Sequence, residues 1–399
     1  MINTDKKTIE YFLNRAVENV YPTPKLLEKK LLSGEKLTIY AGIDPTGELH
    51  LGHATVFRKL SKLHEMGHKI IVLVGSFTAK IGDPTGKFST RKQLTDEDIK
   101  KNMIDYKEQM SSFFNFNDKK NPIEIKYNGD WLSKMSFEDV VNLASHFTVQ
   151  QMAERDMFAN RLKEGKPIHL HEFLYPLMQG YDSVFLNVDL EIGGNDQTFN
   201  MLAGRTLLRE MKGKEKMVMT LKLLTDSSGK KMGKTDNNSV VLSNTANEMF
   251  GKVMSWSDEM IVNAFDVLTD LNEKEIEKIS KEIKKGANPR EFKMKLAYEV
   301  VRLYKNESGA KEAMENFINV FTNKAKPTDI ETVSVKSKNI IEALVEAKMV
   351  TSKTEARRVI DQKGLKVGDV VITDYNFELP KGISFVQKGK RHFLNIKVG

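Results

Sequence analysis

A chain of 399 residues exceeds one ordinary hydrophobic core, so two or three domains are expected. Hydrophobic residues at 40% and charged residues at 29% fit a globular protein, and the absence of Cys excludes disulfides and every thiolate metal site. A formal net charge of +8 permits an anionic partner without demanding one; no apolar run reaches membrane-spanning length and Met1 to Asn14 lacks a signal-peptide core, so a cytoplasmic protein without membrane contact is expected.

Thr8 to Val20 has the spacing of an amphipathic helix, and Leu37 to Ile43 that of a buried strand. The next stretch, Asp44-Pro45-Thr46-Gly47-Glu48-Leu49-His50-Leu51-Gly52-His53, is a turn leading into helix-forming residues that stop at Gly67. Strand, tight loop and helix N-terminus in that order are where an α/β fold binds phosphate. Ile70 to Val74 reads as a second strand and completes a strand-helix-strand unit. Lys80 to Lys87, containing Gly82-Asp83-Pro84, is rich in turn residues. Most such loops are connectors, but Lys87 and Arg91 have the chemistry to meet phosphate.

Asp96 to Asn115 is again helical and Pro122 to Tyr127 a strand. Phe137 to Gly165 is helical, with Phe147, Met152, Met157 and Phe158 read as core or a subunit contact. Tyr175, Gln179 and Asp182 recur at i, i+4 and i+7, which puts a hydroxyl, an amide and a carboxylate on one helix face, either solvated surface or the lining of a polar pocket. Val184 to Leu190 reads as a buried strand ending in Glu191-Ile192-Gly193-Gly194-Asn195-Asp196-Gln197, a composition suited to a ligand at the C-terminal edge of a sheet. Thr198 to Met211 is helical. A second glycine-rich loop, Gly229-Lys230-Lys231-Met232-Gly233-Lys234-Thr235, then closes the α/β pattern.

Thr245 to Phe321 reads as all helix, Lys324 to Lys338 as linker-like, Ile340 to Asp361 as two short helices and Leu365 to Val398 as short strands. From Lys326 onward 14 Lys and Arg stand against 9 Asp and Glu, more than half the excess charge of the chain. Lys353, Arg357 and Arg358 share one helix, and Lys388, Lys390 and Arg391 a hairpin. They form a candidate RNA contact whose plain alternative is a solvated basic face.

Two His three apart suggest a metal pair, but zinc needs further ligands at fitting spacing. Imidazoles at a helix N-terminus can instead donate to phosphoryl oxygens, and a flexible basic loop can close over a triphosphate. Together, His50-Leu51-Gly52-His53 after the first strand and Lys231-Met232-Gly233-Lys234-Thr235 after the last resemble the signatures of the class I aminoacyl-tRNA synthetases. Within that class the chain resembles the bacterial tyrosyl-tRNA synthetases from end to end.

The resemblance implies a Rossmann-like parallel-sheet catalytic domain over 1–244 with an inserted helical dimerisation segment. It further implies an α-helical anticodon-binding domain over 245–323, a linker over 324–336 and an S4-like RNA-binding domain over 337–399. The implied reaction activates L-tyrosine with ATP and Mg2+ and transfers it to the 3'-terminal adenosine of tRNA(Tyr), in a homodimer without structural metal. Tyr40 and Asp182 match the grip on the substrate phenol, Asp83, Tyr175 and Gln179 that on the α-amino group, and Gln197 a further contact to tyrosine. Asp44, Thr46, His50, Gly52 and His53 match the first ATP loop, and Gly194 and Asp196 the ribose contacts. Lys87, Arg91, Lys231, Lys234 and Thr235 match the pyrophosphate clamp. A buried phenol needs a donor and an acceptor, and Tyr40 with Asp182 supplies both; the rejection of phenylalanine by such groups is best known from tyrosyl-tRNA synthetases themselves. Gly233 and Thr235 depart from the class consensus, and Val56, Asn195, Thr198 and Glu191 from the better-known subgroup, Glu191 replacing an amide.

Overall fold

Six strands form the sheet that carries the site: β1 Val17–Tyr21, β2 Thr38–Ile43, β3 Lys69–Val74, β4 Glu124–Tyr127, β5 Leu190–Gly194 and β6 Met217–Leu221. They belong to a computed structural model that describes residues 2–82, 94–225, 239–321, 330–368, 370–389 and 392–398. Their order is β1-β6-β5-β2-β3-β4, all parallel except β1, which runs antiparallel to β6 at the edge. Ile70 to Val74 and Met217 to Leu221 are buried throughout, as parallel strands covered on both faces require.

The chain runs from β2 outward to β3 and β4, then crosses back to β5 and β6. Its connections therefore diverge between β2 and β5. At such a switch point the C-terminal strand ends open a crevice, and here those ends carry Asp44 and the Gly194-Asn195-Asp196 turn. The helix Leu51–Glu65 returns from β2 to β3 and buries Leu51, Ala54, Phe57, Leu60 and Leu63 on one face. The helices Leu170–Leu186 and Thr198–Lys212 flank β5 and meet at Gly180 and Gly204. A Cβ on Gly180 would lie 3.1 Å from the Gly204 nitrogen, and one on Gly204 would lie 3.3 Å from the Gly180 Cα.

Several boundaries differ from the sequence reading. The helix expected over Thr8 to Val20 spans Lys6–Asn14; Ala16 takes a positive φ of 54° and breaks the run, so that Val17–Tyr21 pairs with β6 as β1. The strand expected over Val184 to Leu190 is instead the last turn of the helix Leu170–Leu186, capped by left-handed Asn187, with β5 starting at Leu190. A short apolar run carries no periodicity that separates these cases. The stretch Phe137 to Gly165 divides into Phe137–Ser145, Val149–Ala153 and Asp156–Lys163, the first two opened by the capping boxes Ser136/Asp139 and Thr148/Gln151. β6 had no counterpart in the sequence reading.

Beyond β6 come the helices Ala246–Met254, Met260–Leu268, Glu273–Lys284, Pro289–Tyr304 and Glu307–Phe321. By its internal packing the chain divides into two units, Met1–Ala313 and Met314–Gly399. The second holds a sheet of order β7-β11-β10-β8-β9, built from β7 Thr332–Val335, β8 Leu365–Val367, β9 Val370–Val371, β10 Gly382–Lys388 and β11 His392–Val398. Its core joins Ile340, Leu344, Ile360, Leu365, Val386 and Ile396. β7 lies inside the expected linker 324–336: Thr332–Val335 pairs in parallel with β11, which polar, Pro-containing surroundings had concealed.

Candidate active site

His50 is the N-cap of the helix Leu51–Glu65. Its Nδ1 accepts the Gly52 N–H at 3.1 Å, and its own backbone N–H donates to His53 Nδ1, also at 3.1 Å. The two rings lie 4.0 Å apart. With each Nδ1 accepting from a backbone amide, a neutral imidazole carries its proton on Nε2, so both histidines offer an Nε2–H donor at the positive end of a helix. The glycine between them has a local cause. A Cβ on Gly52 would sit 2.9 Å from both Cε1 and Nδ1 of His50, so only glycine admits that ring.

The preceding loop is held from the side. Tyr106 donates to the Gly47 carbonyl at 2.6 Å, Asn102 to the Pro45 carbonyl at 2.7 Å, and the Leu49 N–H donates to Gln109 Oε1 at 2.9 Å. Thr46 is exposed, and Gly47 takes a φ of 124° that favours glycine. His50 also pairs across a β-bridge with Val241, and the Leu51 N–H donates to the Val240 carbonyl at 3.0 Å. The first signature is thereby tied to the chain just beyond the second.

On the other side of the crevice, the face bearing Tyr175, Gln179 and Asp182 turns inward. Tyr175 and Asp182 are buried and Gln179 half-buried. Tyr175 donates to Asp44 Oδ2 at 2.8 Å, while Thr78 donates to Asp44 Oδ1 at 3.0 Å, which fixes the carboxylate at the end of β2. Asp182 accepts from Asn128 Nδ2 at 3.1 Å on one oxygen and from Trp131 Nε1 at 2.9 Å on the other. Burial pushes the Asp182 carboxyl well above the usual range, against the pull of those two donors. Asn128 and Trp131 had no signal in the sequence beyond a turn-like Asn-Gly-Asp.

Tyr40, in β2, is wholly buried, and burial pushes its hydroxyl well above the ordinary phenol range, so it remains protonated. Its hydroxyl lies 2.8 Å from Ser183 Oγ. The parallel register sets Tyr40 beside Glu191 of β5. Glu191 pairs with Lys216, the residue before β6, and both are buried. Lys216 Nζ also donates to Ser183 Oγ at 2.8 Å, and Gln179 Nε2 to Glu191 Oε1 at 3.4 Å. Ser183 and Lys216 were missed because a lysine ahead of an apolar run ordinarily reads as a solvated strand end.

Gly194 and Asp196 sit at the end of β5, where a Cβ on Gly194 would come 2.5 Å from Asp196 Oδ1. Gln197 Oε1 accepts from Asn200 at 2.8 Å. Asp83, Lys87, Arg91, Lys231, Lys234, Thr235, Lys390 and Arg391 lie outside the described residues. Among the described residues no group of three or more His, Asp or Glu is arranged to hold a metal ion, and no helix is long and apolar enough to cross a membrane.

In the second unit, Arg357 and Arg358 are exposed on the helix Lys353–Asp361, and Lys353 pairs with Glu342 at 2.7 Å. Lys388 is half-buried, 3.4 Å from Glu355 and bonded to the Met349 carbonyl, so it serves this unit's own packing. Of the apolar stripe in the first unit, Met152 and Phe158 are buried within the chain.

A family model described as "tRNA synthetases class I (W and Y)" matches residues 32–322, and one described as "Tyrosine--tRNA ligase SYY-like C-terminal domain" matches residues 321–396. The chain is 42% identical over 392 residues to the tyrosine--tRNA ligase of Thermotoga maritima, covering 97% of this chain and 96% of that one. It is 41% identical to that of Francisella tularensis subsp. tularensis, covering 98% of each. Among solved structures, a C-terminally truncated Aspergillus nidulans mitochondrial tyrosyl-tRNA synthetase superposes with a TM-score of 0.65 at 23% identity, covering 79% of this chain and 94% of its own. The Archaeoglobus fulgidus tyrosyl-tRNA synthetase complexed with L-tyrosine gives 0.62 at 21% identity, covering 78% and 100%.

Proposed function

The chain belongs to the class I aminoacyl-tRNA synthetases of the tryptophan and tyrosine group, and from that premise we propose that it joins L-tyrosine to tRNA(Tyr) at the expense of ATP. The observation that carries the choice of tyrosine is the buried Asp182 carboxylate, held by Asn128 and Trp131 one residue from the Ser183 that bonds Tyr40. Such a pair of polar groups is costly to bury for an apolar ring and well matched to a phenol.

In the first step the tyrosine carboxylate attacks the α-phosphorus of ATP, which enters with Mg2+ as part of the substrate, and pyrophosphate leaves. In the second, the terminal ribose hydroxyl of the tRNA takes the tyrosyl group and AMP leaves. Neither step needs a protein nucleophile; orientation and charge stabilisation suffice. We assign the His50 and His53 Nε2–H groups, with the amides at the helix N-terminus, to the phosphoryl oxygens where charge grows. Asp44 and Thr46 border that site, Gly52 seats the His50 ring, and Gly194 and Asp196 take the ribose. Lys87, Arg91, Lys231, Lys234 and Thr235 clamp the pyrophosphate. Tyr40 and Asp182 read the phenol, Asp83, Tyr175 and Gln179 the α-amino group, and Gln197 supplies a further contact.

The helices from Ala246 onward are assigned to anticodon recognition, and Arg357 and Arg358 of the second unit to phosphate contacts. A homodimer in the cytoplasm is the expected working form. The exposed Phe137 (84%), Val149 (73%) and Leu170 (84%) of the inserted helices support a self-association surface there. Tyrosine-dependent ATP–pyrophosphate exchange by the purified chain tests the reading. Exchange supported by tryptophan and not by tyrosine would overturn it.

A further inference from the structure

Behind the phenol-reading pair lies a charged couple that the two-step reaction does not use. Lys216 and Glu191 are both buried and in contact, and Lys216 Nζ is 5.9 Å from the centre of the Tyr40 ring. Such a couple is rarely a gain in stability over apolar residues of the same volume, so its placement calls for another explanation. The helix contact at Gly180 and Gly204 makes room for it: a Cβ on Gly204 would lie 2.6 Å from Ser183 Oγ and 2.7 Å from Lys216 Nζ.

We propose that Lys216, acting through Ser183, sets the direction of the Tyr40 hydrogen bond, and so is a positioning residue for recognition of the substrate phenol; this rests on the tyrosine-specific reading above. An ammonium only donates, so Ser183 Oγ, 2.8 Å from Lys216 Nζ, must accept. The single Ser183 hydrogen then has two candidate acceptors. Glu191 Oε2 is 3.5 Å away, beyond the usual reach of a hydroxyl donor, whereas the Tyr40 hydroxyl is 2.8 Å away. The hydrogen goes to Tyr40, whose own O–H then donates, toward the neighbouring Glu191 carboxylate and, once a phenol arrives, onward to it.

Asp182 already accepts one N–H on each oxygen and keeps lone pairs to accept again. An incoming para-hydroxyl is thus met by a donor and an acceptor in fixed roles, running Lys216 to Ser183 to Tyr40 to phenol to Asp182. Without Lys216 the carboxylate of Glu191 would draw the Ser183 hydrogen, and Tyr40 would turn to donate to Ser183. The phenol would then face two acceptors with one hydrogen, and its advantage over a bare ring would shrink.

The test uses the full-length chain and pyrophosphate exchange with tyrosine and with phenylalanine. Ser183→Ala cuts the relay while leaving the ion pair intact. It is expected to raise KM for tyrosine about tenfold, leave kcat within about twofold, and leave kcat/KM for phenylalanine unchanged. Because Lys216→Met alone strands a buried carboxylate, the second variant is Glu191→Met with Lys216→Met. It removes both the donor that fixes the Ser183 hydrogen and the carboxylate that competes for it, so tyrosine selectivity should fall by less than in Ser183→Ala alone, and adding Ser183→Ala to it should cost less than it does in the unmodified chain. Equal losses for both amino acids, unaltered tyrosine KM in Ser183→Ala, or additive losses in the triple variant would overturn the relay. Failure of the unmodified chain to exchange with tyrosine would instead overturn the functional reading beneath it.

Discussion

Gly52→Ala separates the catalytic role we assign to the His50 ring from its structural one. In the helix Leu51–Glu65 an alanine is favoured over glycine by about 1 kcal/mol. Its Cβ would stand 2.9 Å from Cε1 and Nδ1 of His50, so the ring must swing away and release the Gly52 N–H. Loss of an N-cap bond costs about 1 kcal/mol, and the two changes nearly cancel. The displaced ring, however, no longer presents its Nε2–H at the helix N-terminus, where we assign it to the phosphoryl group. A misplacement of roughly 1 Å in such a site costs on the order of 100-fold in rate. Pyrophosphate exchange at saturating tyrosine should show that fall in kcat with an unchanged tyrosine KM, while the thermal midpoint moves by about 2 °C or less. Wild-type kcat, or a fall in rate matched by a comparable fall in stability, would refute the reasoning.

Lys216→Met should destabilise the chain by about 3–5 kcal/mol in urea unfolding, because Glu191 is left charged and buried, and pairing it with Glu191→Met should recover most of that loss. His68 accepts the Leu37 N–H on Nδ1 at 3.2 Å, and burial holds its pKa down at about 4, against the usual 6.5. The unfolded chain takes that proton first as pH falls. The contribution of His68 is therefore complete above pH 6.5 and disappears as pH drops toward 4, and His68→Gln should flatten urea stability across that window. Arg357→Glu with Arg358→Glu should lower aminoacylation of tRNA, with a shallower salt dependence, while leaving pyrophosphate exchange unchanged.

The parts of this molecule that were legible in the sequence are those where one residue's chemistry fixes its own surroundings. The strand-loop-helix around His50 announced itself through Gly, Pro and helix-forming residues, and the i, i+4, i+7 spacing put Tyr175, Gln179 and Asp182 on one face before any partner was known. Spacing left open whether that face was wet. The answer depends on Asp44, Asn128 and Trp131, which reach it from β2 and from the segment after β4. The boundaries failed for a similar reason: Val184 to Leu190 is apolar whichever backbone it adopts, and pairing with β6 turned Val17–Tyr21 into a strand that helical spacing had hidden. Lys216 was invisible because its partner lies 25 residues away on the neighbouring strand.

The Gly180–Gly204 contact bears on any attempt to change which amino acid this chain accepts. Accommodating a tyrosine carrying a larger para-substituent requires depth beyond Ser183. There the wall is the buried Lys216–Glu191 couple and, beside it, the backbone of the two glycines, which have no side chain to shorten. Trimming Tyr40 or Asp182 leaves that wall in place. Depth beyond that couple would require the two helices to move apart, and the packing of Leu207 against Gly180 resists that separation.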